Sequence, residues 1–224
     1  MKPSVPTKAF LCLGIAVIIC TPSWAHVVVG ELENMSRTET ALLYLKLGYQ
    51  HILPLGLDHI LFVLSLFLLS PRLKPIILQS TAFTVAHTIT LGLAMYHVIT
   101  PTAKIVEPLI SISIVLVAFE NILSPKLKPT RIGIVFLFGL VHGLGFASSL
   151  SQMGLPQHAY LSSLVLFNLG VEAGQLTVIL LAFLLVGKWF GQKQFYRKAI
   201  VIPASVVIIL IAGYWTVQRI FLLS

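Results

Sequence analysis

The stretch GYQHILPLGLDHILFVL, residues 48–64, carries His51, Asp58 and His59 in an otherwise apolar run. Residues of the same kind recur in later apolar runs, as His87 in AFTVAHTITL, His142 in FGLVHGLGFA and Glu172 in FNLGVEAGQL. Imidazole with carboxylate is a donor set that Zn, Ni, Co or Fe accepts. A hard cation such as Mg or Ca would call for oxygen alone. Histidine is therefore the deciding group, and it points to a divalent transition metal such as Ni, Co or Zn.

The solvent around these residues follows from composition. A soluble domain has roughly 25% charged residues, whereas this chain has 10%, with 57% hydrophobic residues and a mean hydropathy of +0.97. Such a chain is expected in a lipid bilayer. Apolar stretches fall at about residues 46–70, 76–99, 105–124, 132–151, 160–187 and 199–221. Each supplies the roughly 20 residues that cross a hydrocarbon core of about 30 Å. The expected fold is an all-α, polytopic bundle of six transmembrane helices occupying residues 46–224.

Basic residues set the orientation of that bundle. Arg72 and Lys74 follow the first span, Lys126, Lys128 and Arg131 the third, and Lys188, Lys193, Arg197 and Lys198 the fifth. Only Arg37, Lys46, Lys104 and Arg219 lie on the other side. Lys and Arg accumulate in cytoplasmic loops, so both mature termini are expected outside. The net charge of +8 is then a topology signal, and nucleic acid is not an expected partner.

The N-terminus has the layout of a signal peptide over residues 1–25: Lys2 and Lys8, the apolar run AFLCLGIAVIIC, then TPSWA with cleavage after Ala25. An uncleaved anchor helix is the alternative. Cleavage would remove Cys12 and Cys20 and so exclude disulfides and thiolate ligands. It would also leave His26 at the head of an exported polar lead-in, residues 26–45, either as an amine–imidazole chelator or as an ordinary solvated residue. An internal repeat is suggested by LSPRLKP (69–75) and LSPKLKP (123–129), each followed by a helix bearing His87 or His142. Two parallel helix pairs would produce it; so would the repeated use of a good cytoplasmic turn.

Depth separates a site from scattered polar residues. Asp58, Glu107, Glu120 and Glu172 are the acidic residues after position 40, and all lie in or at the edge of spans. An ionisable group at the bilayer centre costs at least about 2.5–3.5 kcal/mol, so these groups require partners, protons or a cation. Asp58, His59, His87, His142 and Glu172 fall near mid-span and are the expected metal ligands, with His51 seven residues before Asp58 on nearly the same helical stripe. His51, Glu107 and Asn168 are expected to form an outer vestibule. Asn168, Glu172 and Gln175 make a polar stripe on the fifth helix.

Other polar residues have local readings. Thr84, Thr88 and Thr90 can bond back to their own helix, and Glu120 with Asn121 can pair with Lys126 or Arg131. Gly48, Pro54 and Gly56 should loosen or kink the first helix, tolerable only beside a protein-lined cavity. Gly139 and Gly143 suit close helix packing. Each histidine alone could be a packing residue, and Asp58 beside His59 could be a local pair. Their joint depth is what favours a site.

GLDHILFVL, AFTVAHTITL, the VEP and FEN elements of the third span, FGLVHGLGFA and FNLGVEAGQL together resemble the HupE/UreJ family of small bacterial membrane proteins, in its second branch. The likeness runs from about Gly48 to Gln175. It implies a protein of the bacterial inner membrane related to nickel or cobalt permeases of hydrogenase and urease maturation. It also implies that the family's first-helix metal motif, a His-Pro start followed by Gly-x-Asp-His, falls on His51, Gly56, Asp58 and His59. Here His51 is one residue further from the Asp-His pair, and Pro54 does not follow it directly.

Three functions are compatible with these residues. The first is a metal-ion permease, with the supporting polar residues Glu107, Glu120, Asn121, Asn168, Gln175 and Thr88 along its path. The second is an intramembrane zinc hydrolase, with three histidines on the metal and Asp58 or Glu172 as general base. The third is a non-catalytic accessory protein. The chain has no GxxxxGK[ST] motif, so an uphill step would draw on an ion gradient or another subunit.

Overall fold

The computed structural model describes residues 35–100, 102–153 and 159–222, without the side chains of 148, 149, 151–153 and 222. The expected signal peptide and His26 lie outside the described residues. Among the described residues all regular structure is helical: α1 Arg37–Ile52, α2 Leu57–Leu69, α3 Leu73–Met95, α4 Ala103–Leu123, α5 Arg131–Met153, α6 Tyr160–Ala182 and α7 Ile202–Leu222. α6 continues through a wide π-type turn, Phe183–Gly187, to Phe190, and a second such turn, Arg197–Val201, leads into α7.

The expected membrane bundle is present. Among the described residues four helical stretches are long and apolar enough to cross a bilayer: Leu73–Met95, Ala103–Leu123, Tyr160–Phe190 and Arg197–Phe221. α1 and α2 pass the same test together but are bent against each other, as in a broken span or a re-entrant loop, and α5 contributes the shorter apolar helix Arg131–Ala147.

The first span departs from the single straight helix expected over 46–70. α1 starts earlier, at Arg37, inside the segment read as polar lead-in, because Ser36 and Glu39 form a capping box: Glu39 N–H donates to Ser36 Oγ (3.3 Å) and Ser36 N–H to Glu39 Oε2 (2.8 Å). α1 ends at Ile52 and α2 leaves at 67° to it. Pro54 supplies no N–H and disfavours helical backbone at Leu53. Gly56 then packs against α1 so closely that a Cβ there would overlap the His51 carbonyl. His51 and Asp58 therefore share no helical stripe.

α2 is the hub of the packing. Its Val63 and Phe67 join Tyr44, Ile52, Phe167 and Val171 of α1 and α6 in one apolar cluster. Its Phe62 and Leu66 join Ile114 and Val117 of α4 and Ile208 and Ala212 of α7 in another. Outward faces carry Val85, Ile89, Leu169, Leu180, Leu210 and Phe221, the side chains that lipid would cover. Hydrocarbon gives apolar helices little reason to leave it, so close packing and buried hydrogen bonds must hold the bundle.

Both devices are visible. α3 and α5, the helices that follow the two LSP turns, cross at Gly143, where a Cβ would overlap the His87 carbonyl and Thr90 Oγ1. Thr90 Oγ1 donates to the Leu140 carbonyl across the same contact (2.7 Å). At the other end of α4, Arg131 is 1% exposed and donates to Glu120 Oε2 (3.0 Å), Asn121 Oδ1 (3.1 Å) and the Ser65 carbonyl (3.4 Å). Arg197 donates to the carbonyls of Asn121, Ile122 and Ser124, which closes the α4 C-terminus.

The α3–α5 crossing yields a paired expectation. Gly143→Ala forces two backbones apart and should destabilise the protein by about 1–3 kcal/mol, the usual cost of overpacking. Gly133→Ala on the same helix meets open space and should leave stability equal or higher, because alanine is the better helix former. Thermal unfolding of the detergent-purified variants checks both.

Candidate metal centre

Breaking the first span brings its two halves to one place. His51, from the last turn of α1, lies edge-on to His59, from the first turn of α2, with ring centroids 4.7 Å apart. His87 from the middle of α3 completes the group, 6.1 Å from His51 and 5.9 Å from His59 between centroids. One ring nitrogen from each of the three lies within 4.8 Å of the other two. A tetrahedral metal with Zn–N bonds of about 2.0–2.1 Å holds its ligands roughly 3.4 Å apart. The three nitrogens are therefore within about 1.5 Å of a coordinating arrangement.

The outer ring nitrogens fix how these imidazoles face. Asn168 Nδ2 donates to the Leu164 carbonyl (2.8 Å), which turns its Oδ1 toward His87 Nδ1 (3.0 Å). Asp58 Oδ1 accepts from His59 Nδ1 (3.1 Å). With the protons on Nδ1, both Nε2 atoms keep a lone pair. The Nε2 atoms of His51, His59 and His87 are all buried and lack a hydrogen-bond partner among the described residues. Unpartnered buried nitrogens on three clustered imidazoles suit a cation, and oxygen-held Nδ1 groups, as on His59 and His87, are the usual support behind metal-binding histidines.

The walls are aromatic. His51 lies 3.9 Å from Phe146 and 5.7 Å from Phe167 between centroids, and these two phenylalanines are stacked at 10°. Phe83 abuts His59, His87 and His142. The apolar pattern of the helices gave no reason to single out these phenylalanines.

The remaining expected ligands take other positions. His142 reaches the same level, its ring 4.9 Å from that of His59, but its Nε2 pairs with Ser113 Oγ (2.9 Å) while Nδ1 is buried without a partner. Asp58 stands behind the rings: its second oxygen faces Arg219 (3.7 Å). Glu172 does not join the rings. Its carboxylate accepts from Thr81 Oγ1 (2.8 Å) and from Thr84 Oγ1, because a shared depth on two helices does not fix which way each side chain faces.

The expected outer vestibule of His51, Glu107 and Asn168 is also redistributed. The break carries His51 into the ring cluster, Asn168 supports His87, and Glu107 pairs with Arg219 Nε (3.3 Å). Arg219 also donates to the Glu107 carbonyl (3.0 Å), so α2, α4 and α7 meet at one guanidinium. Counted only as an outer-side charge, Arg219 had no sequence signal for this role. Glu120 and Asn121 engage Arg131, one of their two expected partners. Thr88 Oγ1 donates to the Thr84 carbonyl (2.7 Å), and Gln175 Oε1 accepts from Ser80 (2.6 Å).

A family model described as HupE / UreJ protein matches residues 29–219. No curated protein and no solved structure matches the chain. The matched range takes in all three ring-bearing helices and the Asp58, Asn168 and Arg219 side chains behind them. By that match, the chain belongs to the HupE/UreJ family.

Proposed function

We propose that the protein carries a divalent transition-metal ion, nickel or cobalt, across the bacterial inner membrane, with His51, His59 and His87 as its transient ligands. The observation that carries this reading is the trio of buried, unpartnered Nε2 atoms inside a membrane bundle. Neutral imidazoles bind such ions without adding negative charge, so the ion is held yet can leave. His142 stands next to His59 as a further imidazole beside the trio. Along the α3–α6 seam, His87–Asn168, Thr84–Glu172 and Ser80–Gln175 follow one another and offer a polar route away from the rings.

The reading includes an exported N-terminus: residues 1–25 act as a signal peptide and both mature termini face outward. The ion would then enter past Arg219, Asp58 and Glu107 and leave toward the basic loops. An intramembrane zinc hydrolase needs a free carboxylate as general base. Asp58 is engaged by His59 and Arg219, and Glu172 by two threonines, which favours transport.

Nickel or cobalt uptake into proteoliposomes tests the assignment. His51→Ala and His87→Ala should each abolish saturable uptake; full uptake in both would remove the site. Asp58→Asn, which keeps the shape but loses the charge behind His59, should weaken metal affinity by about 10–100-fold, as for other groups behind metal-binding histidines.

A second expectation separates the ring trio from a site defined by depth alone. Equilibrium dialysis of the purified protein should find nickel affinity lost in His59→Ala and retained within about threefold in Glu172→Gln, a difference under 1 kcal/mol. Stoichiometric bound zinc without flux in the wild type would favour the hydrolase.

A further inference from the structure

Each of the other acids within the spans has a charged or chargeable partner. Asp58 faces His59 and Arg219, Glu107 faces Arg219, and Glu120 faces Arg131. Among the described residues Glu172 has no ion pair. It sits mid-way along the span Tyr160–Phe190, half-buried, beside the exposed Thr81 and among lipid-facing Val85 and Leu169. A lone carboxylate at that depth is costly unless its charge is neutralised.

Its surroundings are short of protons. Thr84 Oγ1 has one hydrogen and three oxygens within reach: Glu172 Oε2, the Ser80 carbonyl (3.2 Å) and Gln175 Oε1 (3.4 Å). The Ser80 hydroxyl is committed to Gln175 Oε1 and the Thr81 hydroxyl to Glu172 Oε1. Gln175 is 0% exposed, and its Nε2 finds no partner. Turning that amide over would return two hydrogens to the Ser80 and Thr84 oxygens but leave its carbonyl free in the same interior. In either orientation, carboxylate, hydroxyl and amide oxygens from two helices crowd one spot with fewer hydrogens than acceptors.

We propose that Glu172, Thr84, Thr81, Gln175 and Ser80 form a binding site for a hard monovalent cation, with sodium as the ion tested, separate from the histidine trio. Oxygen donors without imidazole select a hard ion. One carboxylate cancels one positive charge, so a divalent ion would leave an uncompensated charge at mid-membrane. Asn168 lies one turn before Glu172 on α6 and Thr84 just under one turn before His87 on α3, so an ion bound here abuts the support of His87. A cation gradient acting at this site could supply the driving force that the chain's lack of an ATP-binding motif leaves open.

Sodium binding to the full-length protein in detergent tests this without reference to metal transport. Raising NaCl at constant ionic strength against choline chloride should raise Tm saturably in the wild type. His87→Ala should keep the response, whatever its effect on nickel. Glu172→Gln should unfold at the Tm of sodium-free wild type or above and show no response. Dicyclohexylcarbodiimide supplies a readout that needs no variant: it should label Glu172, mapped by peptide mass, and sodium at about ten times its Kd should slow labelling about tenfold. A Tm and a labelling rate both indifferent to sodium would overturn the proposal. Labelling that responds to pH but not to sodium would also overturn it, making the proton the ligand.

Discussion

The contact on which the centre of the bundle depends is the one Asp58 makes with His59. In water such a pair would be weak, but within the hydrocarbon the carboxylate has few alternatives to the ring and the Arg219 guanidinium. It holds the proton on His59 Nδ1 and so turns Nε2 inward. Through Arg219 it also ties α2 to α4 and α7. One side chain thus links the orientation of a ring to the assembly of three helices.

Satisfaction of polar groups organises the rest of the molecule in the same way. Arg131 and Arg197 close the far end of α4, each donating to three oxygen partners. Threonines and serines on α3 and α4 return their hydroxyls to carbonyls of their own helices. Against this background the few buried nitrogens without partners stand out: three belong to the clustered rings of His51, His59 and His87, and a fourth to His142 beside His59.

Much of the fold was legible because bilayer thickness acts on sequence length: apolar runs of about 20 residues announce helices whatever their neighbours. The start of α1 was also legible in the spacing of Ser36 and Glu39, although the polar composition of that segment drew attention away from it. Residue types at the site were readable, since histidine in hydrocarbon needs a reason. Azimuth was not. Depth follows from counting residues along a helix, but the direction of each side chain depends on crossings such as Gly143 over the His87 carbonyl and on the 67° break at Pro54. Hence His51 was read as a ligand that also belonged to an outer vestibule and Glu172 as central, while the fold brings the first to the rings and turns the second toward threonines.

The phenylalanines around the imidazoles leave little room for accompanying water. Phe146 and Phe167 form a stacked wall beside His51, and Phe83 packs against His59, His87 and His142. A hydrated cation reaching this chamber would have to exchange its water ligands for ring nitrogens almost one for one. Discrimination among ions would then rest less on chamber diameter than on how well ring nitrogens replace the lost water, which disfavours magnesium, a hard ion that keeps to oxygen, even where it is the most abundant divalent cation nearby.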